Sequence, residues 1–167
     1  SLAGEFVGNF AMQYKIPLCE TISGKGAIIH EHPAYVGGIG VTGSSSANAM
    51  AASADVILAI GTRLQDFTTG SWTAFSDDAK FISINAARWD AVKHRALSVV
   101  GDALETIKEL NLALTDWSAP EIWMEKGRKE MATWNALIDE KQKPTFAKYV
   151  APIGLLPIRS GPVQYLY

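Results

Sequence analysis

The sequence predicts an α/β fold built on a mostly parallel sheet, and three observations carry that expectation. Strand-like and helix-like segments alternate along the chain; Val56-Ile57-Leu58-Ala59-Ile60 is an unbroken apolar run of the kind buried on both faces in parallel sheets; and small residues crowd the segment just before it. Crossovers between such strands are right-handed. The 167 residues, 48% hydrophobic and 19% charged, suffice for one domain with a sizeable core and a short extension.

The elements follow in order. Leu2, Phe6, Phe10 and Tyr14 recur every four residues and lay an apolar stripe along a helix over 1–14. Ile16-Pro17-Leu18-Cys19-Glu20-Thr21 reads as a short strand with proline at its entry. Gly24, Gly26, Gly37, Gly38, Gly40 and Gly43 make the next stretch loop-rich. Ser45, Ala47, Ala49, Ala51 and Ala52 suit a helix over 44–54 lying close to a sheet. Strands follow at 56–60, 80–85 and 97–100, and Asp102 opens a helix with Glu105 at the capping-box position. Ser118-Ala119-Pro120-Glu121 opens another, running to about Gln142, with Trp123, Gly127, Met131, Trp134 and Ile138 along one seam as docking residues. These boundaries divide the chain into a central α/β domain over 1–115, a helical appendage over 116–143 and a divergent tail over 144–167 that holds four of the seven prolines.

Composition narrows the function. A net charge of −2 lacks the basic excess of a nucleic-acid surface. No segment approaches the roughly 20 apolar residues of a membrane span, and Cys19 has no intramolecular partner, so a cytoplasmic location with no nucleic-acid or membrane partner is expected. The phosphate-loop, serine-hydrolase, zinc-protease and paired-cysteine signatures are all absent.

Two stretches remain as candidate sites. Gly37-Gly38-Ile39-Gly40, followed by Gly43, precedes a helix and could offer amides to an anion, or could merely permit tight turns. Residues 61–72 leave the carboxyl end of the best strand, where open α/β sheets bind ligands. Arg63 and Asp66 there could hold a polar ligand or simply pair with each other, and Trp72 offers an apolar wall. The candidate cofactor-binding residues are therefore Gly40, Gly43, Gly61, Thr62, Arg63 and Asp66; no catalytic or metal-binding residue is assigned. His30-Glu31-His32 could place two imidazoles on one face of an extended segment, and His94 sits between Lys93 and Arg95 in a cationic surface cluster.

Ile16-Pro17, Thr21, Gly24-Lys25-Gly26-Ala27, His32-Pro33, Gly37-Gly38-Ile39-Gly40, Gly43, Asn48, Ala54-Asp55 and Gly61-Thr62-Arg63 resemble the central domain of thiamine-diphosphate-dependent enzymes such as acetolactate synthase. Within that superfamily Gly-Ile-Gly-Val-Thr-Gly at 38–43 and the loop 61–72 look most like trihydroxycyclohexanedione hydrolase, a ring-opening enzyme of inositol catabolism. The resemblance covers roughly residues 1–145. It implies a Rossmann-like six-stranded parallel sheet between two further domains that supply the catalytic glutamate and the Gly-Asp-Gly…Asn motif for magnesium and diphosphate. This chain offers only Gly101-Asp102-Ala103. Thiamine diphosphate and magnesium therefore belong to the parent family, and this chain alone is expected to bind neither and to be inactive.

The resemblance also bears on FAD. Asn85 and Ala87, and likewise Gln65 and Phe67, stand where flavin-binding relatives carry charged residues, which argues against FAD. Relatives open the domain with a strand that would precede Ser1, so the first strand is expected to be missing. The strand-forming run at the end of the tail, 162–167, is a candidate to replace it or to pair with another copy. The implied role is a non-catalytic scaffold or truncated derivative, a homo-oligomer or a companion of flanking catalytic domains. The competing roles are a free-standing nucleotide or small-molecule binder, and a protein-interaction module using Trp117, Trp123 and Trp134.

Overall fold

The computed structural model describes residues 2–142, so the tail over 144–167 lies outside the described residues. Helix α1 (Leu2–Tyr14) carries the expected stripe over Phe6, Phe10 and Tyr14. Phe10 and Tyr14 are buried with ring centroids 4.7 Å apart, and the Tyr14 hydroxyl donates to the Asn111 carbonyl at 2.9 Å. With Ile84 and Ile107 they form the main core, around which Phe6, Leu58, Ile60 and Val99 are partly buried. Lys15, at φ 56°, ends the helix in a left-handed turn. Strand β1 (Leu18–Glu20) is shorter than expected because the Ile16 amide is taken by the Ala11 carbonyl at 2.8 Å and Pro17 has no N–H to give.

Strand β2 (Tyr35–Gly38) corrects the expectation of loop through this region. Its Tyr35 and Val36 are buried, but half of its residues are glycine, which hides the pattern. Gly37, at φ 104°, is required because a Cβ there would collide with the Ser44 hydroxyl. Ser44 caps α2 (Ser45–Ala52) by accepting from the Ala47 amide at 3.2 Å. Ser46, fully buried, donates to the Val36 carbonyl at 2.7 Å. The small residues thus let α2 sit directly on β2, as expected.

Strands β3 (Val56–Ile60), β4 (Lys80–Asn85) and β5 (Leu97–Val100) match the sequence expectation. Short helices α3 (Asp66–Thr69) and α4 (Arg88–Ala91) fall in the connections. Helix α5 (Ala103–Ala113) starts on Asp102, whose carboxylate accepts from the Glu105 amide at 3.0 Å; Glu105 itself turns to Lys108 at 2.7 Å, so the capping box is one-sided. Helix α6 (Glu121–Lys141) packs on α2 and β2. Gly127 presses against Val36 and Pro17, and Met124 joins Ala11 and Ala34 in a second core cluster. The docking seam therefore includes Met124, with Trp134 and Ile138 only partly buried.

Every strand pairing is parallel, but the strands form two sheets, β1-β2 and β3-β4-β5. Both run the same way: past the carboxyl ends of β2 and β3, the Val41 amide donates to the Phe67 carbonyl at 3.0 Å. The inner edges of β1 and β3 face each other across a trough. This open edge leaves Ile57, Leu58 and Ile60 only partly buried, so β3 is less covered than its apolar run implies. A strand in the trough, counted first, would complete the order 3-2-1-4-5-6 of a doubly wound nucleotide-binding sheet.

Candidate functional site

The trough is a recess of about 650 Å³. Leu18, Cys19 and Glu20 form one wall and Ile57–Ile60 the other, while Ala3, Gly4 and Val7 of α1 cover part of it. Its mouth, at the carboxyl ends of the strands, gathers Thr21, Gly61, Thr62, Arg63, Gln65 and Thr68. Of the candidate residues, Gly61, Thr62 and Arg63 therefore come together, whereas Gly40, Gly43 and Asp66 do not line the recess.

Each candidate has a local role. Gly40, at φ 110°, lies so close to the next loop that a Cβ would stand 2.5 Å from the Phe67 carbonyl oxygen. Its amide donates to the Asn48 side chain at 3.0 Å, and the amides of Ile39, Val41, Gly43 and Ser44 are taken by protein carbonyls. The glycine cluster thus spends these donors on its own turns. The Thr62 carbonyl accepts from Asn85 Nδ2 at 3.1 Å, and Asn85 Oδ1 accepts from the Ala87 amide at 2.9 Å, so both ends of this amide brace the mouth. Arg63 reaches Asp90 at 3.6 Å rather than Asp66. That pair leaves the arginine 69% exposed, and its energetic weight is small.

Sequence reasoning missed the best-built polar group at the mouth, Glu20. Its side chain is 3% exposed. Oε1 accepts from the amides of Gly26 (3.1 Å) and Ile28 (2.8 Å), so the carboxylate holds down the loop that follows β1. Oε2 stands 3.5 Å from Lys25 Nζ, which donates to the Tyr35 hydroxyl at 2.6 Å. Partial burial acts to lower the Lys25 pKa, but the bonds to Tyr35 and Glu20 outweigh it and the ammonium is held above its usual range. Burial pushes the Tyr35 phenol up. The available signal was an acid closing an apolar strand just before a glycine-rich turn with free amides. Cys19 keeps surface open to the recess, yet desolvation of its thiolate raises the thiol to about 11, which makes it a poor nucleophile.

Three other expectations are corrected. Trp72 does not wall this recess. It lies at the opposite end of the sheet, with Phe75, Phe81 and Lys80 around a second recess of about 610 Å³, and its ring meets His94 at a 45° tilt with centroids 3.9 Å apart. Ser71, Trp72, His94 and Arg95 all take positive φ there, so two left-handed turns meet at this contact. His94 stays exposed with Lys93 and Arg95, as a cationic surface cluster implies, while its ring lies against Trp72; desolvation followed by the Lys93 charge lowers its pKa. The segment 30–32 is a turn: His30 packs edge-on to Tyr35, whereas His32 Nδ1 accepts from the Ala34 amide. Trp117 and Trp123 are likewise separate, one against Tyr14 and the other beside Val36, Ala47 and Met50.

The fold and the strand-end recess define the class. The thiamine pyrophosphate enzyme central-domain model matches residues 1–110, and the chain belongs to that family. Its similarity is to 3D-(3,5/4)-trihydroxycyclohexane-1,2-dione hydrolases. That of Clostridium perfringens (strain ATCC 13124) is 44% identical over 115 residues, 68% of this chain and 18% of the relative. That of Clostridium botulinum (strain Alaska E43) is 34% identical over 150 residues, 89% of this chain and 23% of the relative. That of Geobacillus thermodenitrificans is 43% identical over 117 residues, 70% of this chain and 18% of the relative. The chain thus spans about a fifth of the length of these curated relatives.

The described residues do not fit a magnesium–diphosphate site. None of their His, Cys, Asp and Glu side chains gather in threes, and Asp102, in the one Gly-Asp segment of note, is occupied as the cap of α5. No described helix is long and apolar enough to cross a membrane.

Proposed function

We propose that this chain is the central, non-catalytic module of a thiamine-diphosphate-dependent trihydroxycyclohexanedione hydrolase, or a truncated derivative of one. It acts as a scaffold for flanking catalytic domains and as an oligomer contact in the cytoplasm, and those domains hold thiamine diphosphate and magnesium. The observation that carries this reading is identity of 43–44% to such hydrolases over a stretch that supplies only about a fifth of their length. The engagement of Asp102 as a helix cap supports a structural part for the nearest approach to a cofactor motif.

A chimera tests it. Residues 1–110 replace the matching segment of the Clostridium perfringens hydrolase, and ring opening of the trihydroxycyclohexanedione is followed with thiamine diphosphate and magnesium present. Activity within about tenfold of the parent is expected, and no turnover by the 167-residue chain alone. A folded but dead chimera, or turnover by the lone chain, refutes the proposal.

The recess favours a second reading, capture of a small molecule or nucleotide at Thr62 and Arg63 by a free-standing chain. Heat on titrating the lone chain with NAD, FAD or ADP supports that reading, and none from any of them removes it.

A further inference from the structure

The second recess, of about 610 Å³, is built by one continuous stretch, 72–97: the connection that leads into β4, the first residues of β4, the turn after α4 and the first residue of β5. That volume falls within the range of about 300–1,000 Å³ of small-molecule sites. Trp72, Phe75 and Phe81 pack on one another with centroids 5.0–5.6 Å apart and give it an apolar wall. His94, tilted against Trp72, stays exposed. Lys80 and Arg95 bring two fixed positive charges to the lining and Asp77 one negative, while Asp78 does not line it. Among the described residues neither Lys80 nor Arg95 makes an ion pair, whereas the neighbouring Lys93 is held by Asp90 at 2.6 Å. A local surplus of positive charge on a chain whose net charge is −2 favours an anion here.

Backbone strain gathers at the same place. Six non-glycine residues among those described take positive φ, and Ser71 (54°), Trp72 (68°), His94 (61°) and Arg95 (58°) are four of them. For a residue as bulky as tryptophan this conformation is an outlier, kept only where the surroundings over-determine it, and such strain concentrates at ligand sites. Here it holds an indole, an imidazole and a guanidinium at one recess. We infer that this recess binds a small planar anion, a ring bearing a phosphate or a carboxylate, with the ring against Trp72 and His94 and the charge beside Lys80 and Arg95. The guanidinium fork suits either group because it meets two oxygens at once, and the aromatic side chains receive a flat ring. Asp77 is left to accept from an N–H or O–H on that ring. This site is independent of the strand-end recess and of the hydrolase reading.

Adenosine 5′-monophosphate and 1-naphthoate, one carrying phosphate and the other carboxylate, are titrated separately into the full chain by calorimetry. At least one should bind with a Kd below about 1 mM, and the one that binds assigns the anion. The ring alone, as adenosine or 1-naphthamide, and the anion alone, as phosphate or acetate, should bind at least about tenfold more weakly. Lys80→Gln and Arg95→Asn, the latter chosen because asparagine tolerates positive φ, should each raise the Kd at least about threefold and together at least about tenfold, with circular dichroism showing that both stay folded. Among the indole N–H signals of the five tryptophans, that of Trp72, assigned from Trp72→Phe, should shift most. Absence of heat from both probes, equal binding of the ring or the anion alone, an unmoved Trp72 signal, or binding lost in Arg63→Gln but not in Arg95→Asn each overturns the proposal; the last puts the probe at the strand-end recess. None of these outcomes affects the chimera experiment, so the two readings fall separately.

Discussion

Gly26 and Gly40 isolate what close packing in the loops after β1 and β2 is worth. Both take positive φ, 92° and 110°, but a Cβ at Gly26 would meet nothing within 4 Å, whereas one at Gly40 would stand 2.5 Å from the Phe67 carbonyl oxygen and 3.0 Å from Thr68 Cα. Alanine at either position carries the left-handed penalty of about 1–2 kcal/mol. At Gly40 alone the chain must also separate two backbone segments, an overpacking cost of about 1–3 kcal/mol, and loosens the Val41–Phe67 hydrogen bond, about 1 kcal/mol. Gly40→Ala should therefore be less stable than Gly26→Ala by about 2–4 kcal/mol. With a urea slope of about 2 kcal/mol/M, its midpoint by circular dichroism falls about 1–2 M below that of Gly26→Ala. Midpoints within about 0.3 M of each other would show that the 38–43 turn is not locked to α3, and the reasoning fails.

Two further predictions concern ionisable groups. Glu20→Gln keeps an oxygen for the amides of Gly26 and Ile28 and should cost about 1 kcal/mol, while Glu20→Ala orphans both and should cost about 3 kcal/mol; equal urea midpoints for the two variants would rule out the hydrogen-bonding role. Because the folded state lowers the His94 pKa, the unfolded chain takes up its proton first, so this contribution is complete above pH 6.5 and is lost as pH falls through and below it. Melting temperature should drop between pH 7.5 and pH 5 by more in the native sequence than in His94→Asn, whose side chain tolerates positive φ; parallel pH profiles would refute the effect.

What the sequence made legible follows from pattern strength. Strands β3, β4 and β5 are runs of four to six residues with clear punctuation, so their bounds could be read directly. Strand β2 could not, because Gly37 and Gly38 leave only Tyr35 and Val36 to carry a signal. Trp72 was placed at the wrong end because sequence distance from β3 does not show how far the crossover has already returned toward the start of β4. Arg63 had Asp66 close in sequence but Asp90 close in space, and only the packing of α4 decides between them. Glu20 looked like the end of a strand, and its value comes from a loop that folds back over it.

The division into two half-sheets has one more consequence. Neighbouring strands rotate by about 20–25° relative to one another when a ladder joins them, and no ladder joins β1 to β3. Side-chain packing and the single Val41–Phe67 backbone hydrogen bond set the dihedral between the half carrying Glu20 and the half carrying Thr62 and Arg63. Whatever zips the seam will also fix that angle, so the shape of the mouth and the continuity of the sheet are a single degree of freedom.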